Sequence, residues 1–283
     1  LHDELDSKEA TMVIDRVSHS ALATLLRGIG QTIYGLSRDQ LTVRIKPDGT
    51  QVSEADELAH DRLCEGLSRL SSYPVLSEES ALPSWSERQR WETYWLADPL
   101  DGTHHFLGGG DQFAINLALI HQHQPVVGMI YAPAYDHCYF AERGQGAYEQ
   151  VGAGQPTPLR CAKAMPEDYQ LVVGHRCDLS RFARLHALPS RRVTRLASAL
   201  KFCTIAAGQA DIYPRIGPVS EWDVAAGQCI LTEAGGKVLD FKGQVLQYNR
   251  QASVICTPFM AACQSIHQPA HWLGLQHEDT HEK

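Results

Sequence analysis

The stretch Trp95-Leu96-Ala97-Asp98-Pro99-Leu100-Asp101-Gly102-Thr103 sets two carboxylates and a hydroxyl around a tight turn at the end of an apolar run. Pro99 fixes its own φ and cannot donate a backbone hydrogen bond. Gly102 can take backbone angles closed to other residues, so the chain can fold sharply after a strand. Asp98 and Asp101 can then converge on one point. Two carboxylates about 4 Å apart repel by roughly 4 kcal/mol at an effective dielectric near 20, so a site that gathers them needs protons, basic side chains or cations. The segment itself contains no Lys or Arg. It reads as a place to hold metal ions and phosphate.

The rest of the chain is large enough to give that turn a folded body. Its 283 residues, 43% of them hydrophobic, predict one large domain or two packed halves. A formal net charge of -8 argues against a partner that is a nucleic-acid polymer, while leaving room for a small basic pocket that takes an anionic ligand. The eight cysteines are scattered with no CxxC pair and read as reduced thiols. No apolar run approaches the roughly 18 residues of a membrane span, and the first residues lack the basic flank and apolar core of a signal peptide. These features predict a cytoplasmic protein, with attachment at the cytoplasmic face of the inner membrane left open. A chain beginning with Leu1 reads as a piece or a processed form. Monomer and homodimer are both compatible with the sequence.

Apolar residues Val13, Val17, Leu22, Leu25, Leu26 and Ile29 recur at helical spacing over 10–29. A strand is expected near 41–45. Ser53-Glu54-Ala55-Asp56 has the form of a capping box that opens a second helix bearing Leu58, Leu63, Leu67 and Leu70. Strand patterns follow at 73–76, 93–97, 113–120, 126–132 and 138–141, with connections short enough for an antiparallel sheet. After about residue 161 strands and helices alternate: 171–173, a helix from 179, a strand near 193, a helix over 197–207, a strand at 212 and a helix over 222–234. The expected architecture is therefore α+β in the first half (1–160) and α/β in the second (161–283). No Pro/Ser-rich linker separates the halves, so they should pack together.

Two further motifs carry acids. Val75-Leu76-Ser77-Glu78-Glu79-Ser80 ends a strand in paired carboxylates, and alone it reads as a solvated loop. Glu221-Trp222-Asp223-Val224-Ala225-Ala226-Gly227 puts an acid at a helix start, where alone it reads as a cap. Together Glu78, Asp98, Asp101 and Asp223 supply the oxygen ligands that hard Mg²⁺ ions prefer, with no Cys/His pattern that would point to zinc. The order Asp56, Glu78-Glu79, Asp98-Pro99-Leu100-Asp101-Gly102-Thr103 and Trp222-Asp223-x-Ala225-Ala226-Gly227 resembles the Mg²⁺-dependent, lithium-sensitive phosphatase superfamily of inositol monophosphatase and fructose-1,6-bisphosphatase. The resemblance runs from the first helix to about residue 255 and implies a layered αβαβα sandwich. Ser198-Ala199-Leu200-Lys201-Phe202-Cys203 and Tyr213-Pro214-Arg215-Ile216-Gly217-Pro218 resemble its 3'(2'),5'-bisphosphate nucleotidase branch. That branch implies release of the 3'-phosphate from adenosine 3',5'-bisphosphate, and action on 3'-phosphoadenylyl sulfate, in the recycling steps of sulfate assimilation.

Carried over by position, the resemblance implies that Glu78, Asp98 and the Leu100 carbonyl hold one Mg²⁺, and that Asp98, Asp101 and Asp223 hold a second. Thr103 and Asp56 would orient the attacking water, with Glu78 or Glu79 touching it or a weaker third ion. The Gly102 and Thr103 amides would face the phosphate, and Ser198, Lys201 and Arg215 a second phosphate. The rivals are an inositol or sugar phosphatase with the same metal core, and a metal-binding homologue without turnover.

The chain departs from the family pattern at three places. The usual Lys-x-Asp-x-Ser-Pro-Val-Thr-x-Ala-Asp becomes a segment from Lys46 through Asp48 to Asp56 that lacks the proline. A Ser-x-Ser-His segment is replaced by Gly174-His175-Arg176-Cys177, and a Lys-Glu after Thr103 by His104-His105. Adjacent histidines diverge, so the latter pair reads as a solvated or substrate-rim feature rather than a zinc site. Phe106 to Gly110 reads as a flexible rim, and the tail with His267, His271, His277 and His281 as a polar terminus.

Overall fold

The computed structural model describes residues 18–47, 49–162, 169–182 and 192–263. Helix α1 (His19–Tyr34) leads to a hairpin of β1 (Val43–Ile45) and β2 (Gln51–Ser53), then to helix α2 (Glu54–Leu70). The capping box opens α2 as expected: the Ser53 side chain accepts from the Ala55 amide, and Asp56 Oδ2 accepts from the Ser53 amide at 2.7 Å. The chain continues through β3 (Val75–Ser77), a short helix α3 (Trp85–Arg88), β4 (Thr93–Asp101), α4 (Thr103–Leu107), β5 (Ala114–His121), β6 (Gln124–Ala132), β7 (His137–Glu142), β8 (Gly146–Val151) and β9 (Thr157–Pro158). Strands β3 to β9 form one seven-stranded sheet in sequence order, antiparallel except for β3 beside β4. Strand β8 has a half-buried, polar pattern, and its place is set by pairing with β7 rather than by its own hydrophobicity.

The second half comprises β10 (Leu171–Val173), β11 (Val193–Arg195), α5 (Leu200–Ala206), β12 (Ile212–Arg215), α6 (Ala225–Glu233), β13 (Gly236–Asp240) and β14 (Phe259–Cys263). Its sheet has the order β11-β10-β12-β14-β13. The first three strands are parallel, and β14 runs antiparallel to β12 and β13. Two expected helices start late. Ser198 takes a left-handed φ of +53°, so α5 begins at Leu200 rather than 197. The run from 222 opens as a 3-10 turn, Glu221–Asp223, before α6. The first turns expected for the initial helix, Asp48, most of the helix expected from 179 and the histidine tail fall outside the described residues.

Both faces of the large sheet are covered. Because side chains alternate along a strand, β4 sends Trp95 and Ala97 to one side, with Leu22, Leu26, Leu63 and Leu67 of α1 and α2. It sends Tyr94 and Leu96 to the other, into a core shared with Phe202 of α5, Ile230 of α6, and Tyr213 and Phe259 of the smaller sheet. The outer face of the smaller sheet carries Leu171, Val173, Ile212 and Met260, packed with Phe182. The layers thus run helix, sheet, helix, sheet. Close approach in the middle layer explains the small residues after Trp222-Asp223. A Cβ on Gly128 of β6 would stand 2.6 Å from the Ala226 carbonyl oxygen, and one on Gly227 would strike the Phe202 ring. Among the described residues no helix is long and apolar enough to cross a membrane.

Candidate active site

The site forms where β3 and β4 end. The Glu78 amide donates to the Ala97 carbonyl at 3.1 Å, which holds the first acid beside β4. The β4–β5 register shifts between Asp98 and Asp101, at the proline that cannot join the ladder. The Leu100 amide turns back to Asp98 Oδ1 at 3.0 Å. Gly102 follows with φ +94°, and a Cβ there would stand 2.9 Å from the Gln112 carbonyl oxygen, so only glycine fits this turn. Asp223 arrives from the other half, at the end of its 3-10 turn, with Oδ2 accepting from the Ser220 amide at 3.0 Å.

Glu78, Asp98 and Asp223 present carboxylate oxygens within 4.8 Å of one another. Burial, followed by mutual repulsion, holds the Asp98 carboxyl well above the usual carboxylate range and pushes Asp223 up to about 8. Glu78 is raised by burial, partly offset by Lys46. Three hard oxygen donors without a Cys or His among them fit a divalent cation, whose charge would offset the repulsion among the gathered carboxylates. Asp101 stands apart from this trio. Its Oδ2 accepts from Asn116 Nδ2 at 2.9 Å and from the Ala199 amide at 2.5 Å, and Lys201 is the strongest influence opposing the burial that raises its carboxyl.

The sequence reading missed the cation that the trio's flank does have. Lys46 Nζ donates to Glu78 Oε1 at 3.1 Å and to Glu79 Oε1 at 2.8 Å. Its signal, a lysine at the start of the segment leading to Asp56, was visible but not connected to acids 32 positions downstream. Asn116 was also missed, although a fully buried Asn in an apolar strand is a warning that a polar partner must exist.

Thr103 and Asp56 meet as expected. Thr103 Oγ1 donates to Asp56 Oδ1 at 2.7 Å and lies 3.1 Å from the Leu100 carbonyl oxygen. Beyond them opens a cleft of about 1080 Å³, lined by Gly102, His105, His175, Lys201 and Arg215 among others. Lys201 is 7% exposed. Its ammonium donates to the Ser198 carbonyl and sits 5.1 Å from the Tyr213 ring centroid. Burial lowers its pKa to about 8 against the pull of Asp101. Arg215 Nε and Nη2 donate to the carbonyls of Gly217 and Pro218, so the guanidinium shapes its own turn while lining the cleft. Ser198 is buried ahead of α5, with Oγ accepting from the Leu200 amide at 3.4 Å.

A buried cluster of acids, together with a cleft lined by Gly102, Lys201 and Arg215, fits a metal-assisted reaction on an anionic ester. The chain belongs to the inositol monophosphatase family, whose model matches residues 16–273. It is 41% identical over 212 residues to the 3'(2'),5'-bisphosphate nucleotidase CysQ of Salmonella typhimurium, covering 74% of this chain and 84% of that protein. The protein of the same name from Aggregatibacter actinomycetemcomitans is 36% identical over 259 residues, covering 88% and 93%. The crystal structure of CysQ from Bacteroides thetaiotaomicron superposes with a TM-score of 0.72 at 30% identity, over 87% of this chain and 97% of that one.

Proposed function

We infer that this protein is a Mg²⁺-dependent phosphomonoesterase that releases the 3'-phosphate of adenosine 3',5'-bisphosphate to give AMP, and that also accepts 3'-phosphoadenylyl sulfate. The observation that carries the reading is the trio of Glu78, Asp98 and Asp223, with Lys201 and Arg215 lining the cleft that Gly102 also borders, in a chain whose relatives bear that activity in their names. Scattered cysteines with no CxxC pair fit a reducing, cytoplasmic setting.

Two Mg²⁺ ions are assigned, one to Glu78, Asp98 and the Leu100 carbonyl and the second to Asp98, Asp101 and Asp223, with Glu79 available to a weaker third. Bound there, Mg²⁺ acidifies the attacking water and screens the charge of the phosphoryl group. Thr103 orients that water. Its one hydroxyl proton is given to Asp56 Oδ1, so toward the cleft Oγ1 accepts, drawing a water proton along the line to the carboxylate. Asp56 is held for this by the Ser53 amide and hydroxyl on its other oxygen. The Gly102 and Thr103 amides face the transferred phosphate, and Ser198, Lys201 and Arg215 the end of the substrate that stays. The two halves, 1–160 and 161–283, meet at the site, the first giving most metal ligands and the second Asp223 and the substrate wall.

Phosphate release with Mg²⁺ from adenosine 3',5'-bisphosphate, inositol 1-phosphate and fructose 1,6-bisphosphate, assayed in parallel, tests this. The bisphosphonucleoside should have the highest kcat/KM; a preference for inositol 1-phosphate would sink the nucleotidase reading, and no turnover of any would favour a binding protein. Asp101→Asn should abolish turnover in a folded protein, since Asn keeps an acceptor for the Ala199 amide but not the charge. Substantial residual activity would mean that the second ion is wrongly placed.

A further inference from the structure

Three buried polar side chains that do not line the cleft join the two halves of the chain. Arg88 and Asn249 are fully buried and Glu221 is 3% exposed. Burying such groups is costly unless they are hydrogen-bonded, and here the bonds run from one to the next. Arg88 ends α3, on the connection between Glu78 and Asp98. Its Nη1 donates to Asn249 Oδ1, and Asn249 Nδ2 returns to the Arg88 carbonyl at 2.6 Å, so one residue holds both ends of the side-chain amide. Arg88 Nη2 donates to the Ala252 carbonyl, and the guanidinium carbon lies 4.9 Å from the Trp85 ring centroid. The Asn249 backbone amide then donates to both carboxylate oxygens of Glu221, at 3.0 and 2.9 Å. Glu221 opens the 3-10 turn that ends in Asp223.

Residues 246–254 form no helix or strand, so their course has to be set by contacts of this kind. Asn249 takes a left-handed φ of +53°, which Asn tolerates better than most side chains. Beyond it the segment pairs with the Asp223 turn: the Glu221 amide donates to the Val254 carbonyl at 2.8 Å, the Cys256 amide to the Val219 carbonyl at 2.9 Å, and Ser220 stands opposite Ile255. The same segment grips the helix that follows the turn. The Tyr248 hydroxyl donates to Gln228 Oε1 at 2.8 Å, and Gln228 Nε2 donates to the Leu246 carbonyl at 3.2 Å. Asp223 is thus held on both sides by a segment that Arg88 anchors to the half carrying Glu78 and Asp98.

We propose that Arg88, Asn249 and Glu221 are positioning residues that set where Asp223 stands relative to Glu78 and Asp98, and through it the affinity for the divalent ion. This rests on the metal assignment made above. None of the three touches the ion or the substrate. Their effect passes through the Asp223 turn, so it disappears once the Asp223 carboxylate is removed.

Mn²⁺ is the probe, because it takes the same oxygen ligands as Mg²⁺ and its free form is counted by electron paramagnetic resonance without any turnover. Asn249→Gly keeps the left-handed backbone and removes the side-chain clamp; Glu221→Ala removes the acceptor for the Asn249 amide. Each should raise the Mn²⁺ Kd about tenfold, the low end for losing a group that orients a ligand. Glu221→Gln, which retains an acceptor oxygen, should restore most of the affinity. Arg88→Lys is the milder variant should those two fail to fold; it keeps the charge and loses the two-pronged contact, and should raise Kd several-fold. In an Asp223→Asn background Asn249→Gly and Glu221→Ala should add nothing further. Tyr131→Phe, which gives up a bond to Asp136 at 2.9 Å, is the control for lost stability alone and should lower the melting temperature with Kd unchanged. An unchanged Kd in the folded variants, or a loss of the same size in the Asp223→Asn background, overturns the positioning role. Wild-type protein that binds no Mn²⁺, or binds it equally well after Asp223→Asn alone, overturns the metal assignment instead.

Discussion

The Thr103 hydroxyl illustrates how one residue's hydrogen-bond inventory limits its role. Committed as a donor to Asp56, it can only accept toward the cleft, and methyl replacement removes that acceptor without disturbing the turn. Thr103→Ala should lower kcat about 100- to 1000-fold, in the range for lost proton-transfer partners, with KM nearly unchanged, and Thr103→Ser should restore most of it. A KM effect with intact kcat in steady-state assays would assign Thr103 to binding instead. Lys46 gives a second prediction. Its ammonium already neutralises Glu78 and Glu79, so Lys46→Met should tighten Mg²⁺ binding several-fold in titration calorimetry; weaker binding would mean that Lys46 organises the acids instead of competing for them. Asp56 and Thr103 were legible because each sits in a local motif, a capping box and a glycine turn. Lys46 was not, because its partners lie across a long-range contact that spacing does not encode.

Element boundaries follow the same division. The continuous apolar runs place β4, β5 and β6 within a few residues, since strands covered on both faces have to be apolar throughout. Helix α5 is misjudged at its start because serine gives no steric hint that it will take φ +53°, and β8 because a half-exposed edge region needs its neighbour to define it. The small residues of α6 have a physical reason visible only in the fold, the near contact of Ala226 with Gly128. Gly128→Ala should therefore destabilise by about 1–3 kcal/mol, as overpacking does, measured by urea unfolding. The clash is with backbone, so the helix has to move, and kcat should fall as well because α6 follows directly on Asp223. An unchanged midpoint would mean that the middle layer is looser than this packing implies.

At the scale of the molecule, the acid trio draws Glu78 and Asp98 from one half of the chain and Asp223 from the other, over a core that both halves share. The convergence was readable from motif order through resemblance, and not from physical spacing alone. It also sets the pH response. Folding raises the pKa of Glu78, Asp98 and Asp223, so the folded state binds more protons than the unfolded chain once pH exceeds the ordinary carboxylate range. Stability of the metal-free protein should accordingly fall between about pH 5 and 8, and saturating Mg²⁺ should flatten that decline. Melting temperatures in EDTA that are level or rising over this window would contradict it.

The same division of the trio bears on biogenesis. A ribosome makes the chain from its amino end, so Glu78 emerges with Lys46 already available to it, and Asp98 follows, long before Asp223 is synthesised. Until that last carboxylate docks, the nascent chain has Lys46 beside Glu78 and Glu79 and no complete acid trio. Acquisition of tight metal binding is then a late event in the life of the chain, and a prematurely terminated product would lack it.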